Sequence, residues 1–132
     1  MQRNISRLYY TQFVGDLNNR PTLKGLLDFK GIALVDTDVY IPGGNGAKWY
    51  VNQNQFYRQI RNIVFDLTAM NDKNNDGDQN YAATGLHWQV AQATSLQNCD
   101  FIMPDPHNGP TNTVGIFMEN VSRHAEIFLM CV

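Results

Sequence analysis

Only two glutamates, Glu119 and Glu126, occur in the 132 residues, so the residues able to do carboxylate chemistry are few. Glu119 closes the apolar run Val114-Gly115-Ile116-Phe117-Met118, and Asp36 and Asp38 flank Thr37 just after Ile32-Ala33-Leu34-Val35. Glycoside hydrolysis needs a carboxylic acid on one side of the scissile bond and a second carboxylate or held water on the other. Glu119 fits the first role by type, but a solvated or backbone-bonded corner residue is the better reading. The two aspartates either enter a groove or start a loop, and spacing alone establishes no pair. Other chemistries find less support. The chain lacks the GxSxG nucleophile elbow, and His87, His107 and His124 are scattered without zinc-ligand spacing. Asp72 to Asp78 reproduces the first half of a calcium loop, but Ala83 stands at its twelfth position, so an Asx-rich turn is the better reading. No metal site is expected. Trp49, Tyr50, Tyr57, Tyr81 and Trp88 carry flat apolar faces with polar tips. Most should pack the interior, with Trp49 and Trp88 the two candidates for stacking on a sugar.

At this length the chain is at most one ordinary domain, 43% hydrophobic and 17% charged with a formal charge of -2. No Lys/Arg run suggests nucleic acid, and no apolar run reaches membrane-span length. Neither partner is expected. The opening MQRNISRLYY lacks the apolar core of a secretory signal. Cys99 and Cys131 both sit in apolar strand-like runs, where a free thiol behaves as a small hydrophobe. Spacing does not establish a bridge between them. The sequons Asn4-Ile5-Ser6 and Asn120-Val121-Ser122 matter only in a secreted chain.

Two stretches organise the elements that must hold these groups. Phe56 to Leu67 and Tyr81 to Met103 end alike, in Arg61-Asn62-IVFDL and Gln97-Asn98-CDFIM. Ile63, Phe65 and Leu67 fall in phase with Cys99, Phe101 and Met103, a period-2 apolar face repeated 36 residues on. Such a recurrence is read first as a repeat architecture, the alternative being two unrelated strands that end alike. Further strands are expected over Ile5 to Val14, Gly31 to Val35, Val114 to Met118 and Ala125 to Val132. The Val114 and Gly31 runs read as buried. Asp36 to Gln55, with Pro42-Gly43-Gly44-Asn45-Gly46, is expected to be irregular. Helix is weakly suggested only at Gln89 to Ser95 and Leu23 to Phe29. Short strands, long loops and amides before strands predict an all-β parallel β-helix, with Asn62 stacked on Asn98 at a corner. Loops too long for hairpins disfavour a β-sandwich fragment.

The phrases LYYTQFVGD, GIALVDTDVYIPGGNGAKWYVNQNQFYRQIRN, DGDQNYAATGLHWQVAQATSLQN and VGIFMEN resemble fungal exo-β-1,3-glucanases of glycoside hydrolase family 55, in the pectate-lyase-like superfamily. The resemblance runs from about Leu8 to Asn120. It implies a right-handed single-stranded parallel β-helix, with residues 1–132 forming one incomplete domain of a few coils. It also implies secretion to the extracellular space, action on β-1,3-glucan with inversion, and no cofactor. The family's general acid lies in a second β-helix, beyond the matched phrases. Of the water-positioning groups, Gln59, Gln89 (or Gln92) and Ser122 are the matching positions, with Trp49, Trp88 and Gln92 as substrate contacts. Where family members continue MEN with Gly-Ser-Gly-Gly, this chain reads Val121-Ser122-Arg123-His124, so that corner differs. The expectation is a glucan-hydrolase fragment, inactive in isolation and prone to self-association through uncapped coil ends. The alternatives are a non-catalytic glucan-binding module or a non-functional truncated product.

Overall fold

The computed structural model describes residues 3–4, 9–49, 55–70, 73–75, 80–89, 91–105, 107, 112–119 and 126–131. Fourteen strands are formed among them: β1 (Arg3–Asn4), β2 (Gln12–Val14), β3 (Thr22–Lys24), β4 (Ala33–Asp36), β5 (Gln55–Phe56), β6 (Gln59–Arg61), β7 (Val64–Asp66), β8 (Lys73–Asn75), β9 (Asn80–Ala82), β10 (Thr84–Gln89), β11 (Ala91–Gln92), β12 (Ser95–Ile102), β13 (Val114–Glu119) and β14 (Glu126–Cys131). Each turn of the chain lays a strand parallel to its counterpart in the turn before, giving a parallel β-helix. One sheet runs β1-β4-β10-β13. A second runs β2-β6-β12-β7-β3, with β14 also paired to β12, and two small sheets pair β11 with β5 and β8 with β9. The long strand β12 serves two ladders. Its first half pairs with β6 and its second half with β7.

The break between those halves lies at the corner asparagines. Asn62 and Asn98 both adopt left-handed backbone (φ 58° and 51°), which Asn tolerates better than most residues. Asn98 Nδ2 donates to Asn62 Oδ1 at 2.9 Å, and Asn62 Nδ2 donates to the Gly15 carbonyl at 3.1 Å. The expected stack is therefore present, and it extends one coil further back. The step from Gly15 to Asn62 is 47 residues and that from Asn62 to Asn98 is 36, so the coil period is not constant.

The core sits between the sheets. Ile63, Phe65 and Leu67 are buried, as are Cys99 and Phe101, while Met103 packs against them half-buried. Phe65 and Phe101 stack at 4.7 Å with planes 1° apart, confirming the phase read from the sequence. Cys99 is a buried free thiol; burial pushes it up, with backbone donors only partly offsetting this.

Several local expectations change. Leu23–Phe29 contains β3 followed by turns, and Gln89–Ser95 contains β11 flanked by β10 and β12, so neither is helical. Strand pairing with adjacent coils overrides a weak local preference. Of Ile5 to Val14, only β2 is strand among the described residues, and Tyr9–Tyr10 form a turn. The Gly31 run is buried throughout β4 as expected, but β13 is only half-buried to exposed. β13 pairs with β10 on one side, and no described strand covers its other edge. The described ends of the stretch expected as an Asx-rich turn pair as strands, Lys73–Asn75 antiparallel to Asn80–Ala82. Its residues 76–79 lie outside the described set.

Candidate functional site

The three candidate carboxylate positions are brought together by register. Stacking β4, β10 and β13 places His87 opposite Asp36 on one side and Phe117 on the other, and Gln89 opposite Glu119. The irregular segment after Asp36 then folds back over the strands. Tyr40 and Lys48 form a β-bridge around a tight turn in which the Ile41 and Ala47 backbones are joined at 2.8 Å. Gly43 and Gly46 take left-handed φ of 71° and 88°, which is why that turn needs glycine.

At the centre is a buried imidazole between two carboxylates. His87 Nδ1 lies 3.1 Å from Asp36 Oδ1, and both side chains are inaccessible to solvent. Nε2 faces Glu119 Oε2 at 3.5 Å, an electrostatic approach longer than a good hydrogen bond. The ring stacks on Phe117 at 5.1 Å and meets Tyr40 at a tilt. One ring proton can serve only one of the two acceptors, whereas an imidazolium donates to both.

Glu119, 29% exposed, is the part of this array that reaches solvent. Tyr40 donates its hydroxyl to Oε2 at 2.6 Å, and Lys48 Nζ lies 3.2 Å from the same oxygen. Partial burial pushes the Glu119 carboxyl up, but the Tyr40 hydroxyl, the Lys48 ammonium and His87 together outweigh it. The group is held below the ordinary carboxylate range. At neutral pH it is an ionised proton acceptor.

Backbone contacts fix the array behind Asp36. Its Oδ1 accepts the Asp38 amide at 3.0 Å. Thr37 Oγ1 donates to the His87 carbonyl and accepts the Gln89 amide, each at 3.0 Å. Arg58, buried on the next coil, donates to the Thr37 carbonyl at 3.1 Å. Gln89 Nε2 donates to the Asp38 carbonyl, and its fully buried Oε1 has no protein hydrogen-bond partner. An orphan acceptor of this kind is where an internal water binds. No group of three or more metal-type ligands exists among the described residues.

The positions singled out from the sequence disperse. Gln89 joins Asp36, Asp38 and Glu119 in this array. Gln59 lies on the other sheet, half-buried, and its Oε1 accepts from Arg61 Nε at 3.1 Å. Gln92 lies in β11, half-buried and paired in register with Phe56. Trp49 is 54% exposed beside Lys48. Trp88 is not: it is 1% exposed in the core and donates from Nε1 to Thr94 Oγ1 at 3.3 Å, leaving no ring face for a sugar. Ser122 lies outside the described residues. His87, Tyr40 and Lys48 were not anticipated as partners of Glu119. The signal for them was an ionisable residue inside an otherwise apolar strand, which only the coil register converts into a neighbour.

A family model described as "Rhamnogalacturonase A/epimerase, pectate lyase-like" matches residues 1–128. The chain is 44% identical over 122 residues to a "Probable glucan endo-1,3-beta-glucosidase" of Arthroderma benhamiae, covering 92% of this chain and 13% of that protein. It is 34% identical over 114 residues to a "Glucan 1,3-beta-glucosidase" of Cochliobolus carbonum, covering 86% of this chain and again 13% of the relative. Similarity at 39% over 118 residues extends to a "Non-secreted LysM effector LysM19" of Penicillium expansum, covering 89% of this chain and 8% of the relative. The chain thus spans a small fraction of the length of these relatives. With stacked parallel coils, a matching phase of core residues and a family match over nearly its whole length, the chain belongs to the rhamnogalacturonase A/epimerase, pectate-lyase-like family.

Proposed function

We propose that this chain is the water-holding part of an inverting exo-β-1,3-glucan hydrolase, a single β-helical unit that does not turn over substrate alone. The observation that carries this reading is the pairing of Glu119 with two donors, Tyr40 and Lys48, which favours its carboxylate form and so suits it to a base. In such a reaction the water oxygen bonds to the anomeric carbon as the glycosidic C–O bond breaks. The water proton passes to Glu119, and the departing oxygen takes a proton from a carboxylic acid supplied outside these residues. Gln89, in register with Glu119, is the best placed of the water-positioning candidates. Gln59 and Ser122 keep that role only as family-matched positions, and Trp49, more than half exposed, is the remaining candidate for contact with a sugar ring. β-1,3-glucan as substrate is supported by the names of two relatives, and an extracellular site of action by the family resemblance.

The second reading is a glucan-binding module without catalysis, favoured by the small share of its glucanase relatives that the chain covers. Glucose release from laminarin, by the purified protein and by Glu119→Gln, tests both. No release with measurable laminarin binding supports a binding or partial catalytic unit. Clear release by the unaltered protein would refute the claim that the acid lies elsewhere. If Glu119→Gln then lost about 10²–10⁴ of that rate, Glu119 would be the acid–base group itself.

A further inference from the structure

We propose that the third coil carries a stacking site for one glucosyl ring, formed where two columns of aromatic side chains stop. The ligand class rests on the β-1,3-glucan reading above; the site itself rests on separate geometry. At the turn entering β6, successive coils place Tyr9 beside Phe56 and Tyr10 beside Tyr57. The first pair meets edge to face at 5.6 Å, and the second stacks at 4.6 Å with planes 10° apart. Backbone bonds keep the rungs in step: Tyr10 N to the Phe56 carbonyl at 3.3 Å, and Tyr57 N to the Gln92 carbonyl at 3.1 Å. Strand pairing also sets Gln92 opposite Phe56. The next rung is therefore Gln92 and Ala93, an amide and a methyl where the earlier rungs carry rings.

Tyr10, Tyr57 and Ala93 share the same left-handed backbone, with φ of 59°, 60° and 49°. The third rung thus aims its side chain as the other two do, but with almost nothing on it. Tyr10 covers one face of the Tyr57 ring, and yet Tyr57 remains 44% exposed. Coils repeat at about 4.8 Å, close to the stacking distance of a ring. Where a third ring would stack above Tyr57, the chain has only the exposed Ala93 and, beside it, the half-buried Gln92, and this is the proposed recess.

The chemistry of the recess selects an uncharged, hydroxyl-bearing ring. Among the neighbours Tyr9, Thr11, Phe56, Arg58, Gln92 and Thr94, only Arg58 is charged, and it is buried and donates to the Thr37 carbonyl. A β-linked pyranose presents axial C–H groups on its faces and hydroxyls at its rim, matching an aromatic face beside an amide that both donates and accepts. The recess lies on a different part of the coil from Glu119, so it would hold a glucan chain without touching the reacting bond.

Titration of the protein with laminarihexaose and with cellohexaose, followed by calorimetry and by the ring resonances of Tyr57, tests the site. Ala93→Tyr completes the column in a backbone conformation that Tyr10 and Tyr57 already adopt, so the fold, checked by melting, should be kept. Ala93→Tyr and Tyr57→Ala should each weaken laminarihexaose binding by about three- to tenfold, with Tyr57 resonances shifting only in proteins that keep the recess. Unchanged affinity in Ala93→Tyr, with Tyr57 silent on binding, overturns the site and leaves the glucan reading intact. Response to cellohexaose alone supports the site and overturns the β-1,3 assignment. No binding of either sugar overturns both.

Discussion

Gly85→Ala and Gly115→Ala make one chemical change at two positions that are neighbours across the β10–β13 ladder, and the structure gives them different outcomes. Both glycines face the Phe101 ring, which stacks on Phe65 and fills the core between the sheets. A Cβ on Gly85 would sit 2.8 Å from the Gly115 carbonyl oxygen and 3.0 and 3.1 Å from two Phe101 ring carbons. A Cβ on Gly115 would meet nothing nearer than Phe101 Cβ at 3.5 Å, an ordinary contact. Overpacking against backbone costs about 1–3 kcal/mol. Where there is room, Gly to Ala gains about 0.4–1 kcal/mol through the unfolded chain. For a domain this size roughly 3–4 °C accompanies each kcal/mol. Gly85→Ala should therefore lower Tm by roughly 3–12 °C, and Gly115→Ala should leave it unchanged or raise it by up to about 4 °C. Thermal melts and urea midpoints at equal protein concentration measure both. Because the nearest obstacle to Gly85→Ala is backbone, trimming Phe101→Leu should not restore it. Equal destabilisation by the two variants, or rescue by Phe101→Leu, would refute the packing argument.

Two further outcomes follow from the corners. The Asp66 carboxyl is held at about 2, first by the hydrogen bond from Lys24 and then by the Thr68 hydroxyl. Its folded value is depressed, so its stabilisation is present above the ordinary carboxylate range and lost as pH falls from about 4 to 2. Asp66→Asn keeps an acceptor for Thr68 but removes the charge facing Lys24. With Lys24 half in solvent, the loss at pH 7 should be about 1–2 kcal/mol, and acid unfolding followed by circular dichroism should become less steep over that window; an unchanged acid profile would argue against the pair. At Asn62, φ of 58° separates two variants. Asn62→Gly loses only the side-chain bonds to Gly15 and Asn98, while Asn62→Ala also places Cβ in left-handed backbone, about 1–2 kcal/mol worse. Matching urea midpoints for the two would show that the corner relaxes.

The asparagine corners and the Ile63/Cys99, Phe65/Phe101 phase were legible because they are local and repeated. Each coil needs the same backbone kink and the same period-2 face, so the same residue types recur. The Pro42-to-Gly46 turn was equally legible, since left-handed φ at Gly43 and Gly46 is a property of single residues. The burial of Trp88 was not, because a strand covered on both sides shows no alternation to reveal which rings meet solvent.

The Asp36–His87–Glu119 array was hidden for a different reason. Its members are neighbours only through coil register. That register depends on loop lengths that vary from coil to coil, with steps of 47 and 36 residues at the asparagine corner. A fixed period could not have aligned them. By itself the sequence determined the architecture: repeated apolar faces that no single coil can bury, and amides at the bends to satisfy the backbone. The tertiary structure decided which charges meet. Stacking set a buried imidazole between two carboxylates, and the folded-back Tyr40 and Lys48 paired with Glu119. The energy of a charge depends on the groups within a few ångströms of it, and in a coiled chain those come from other turns.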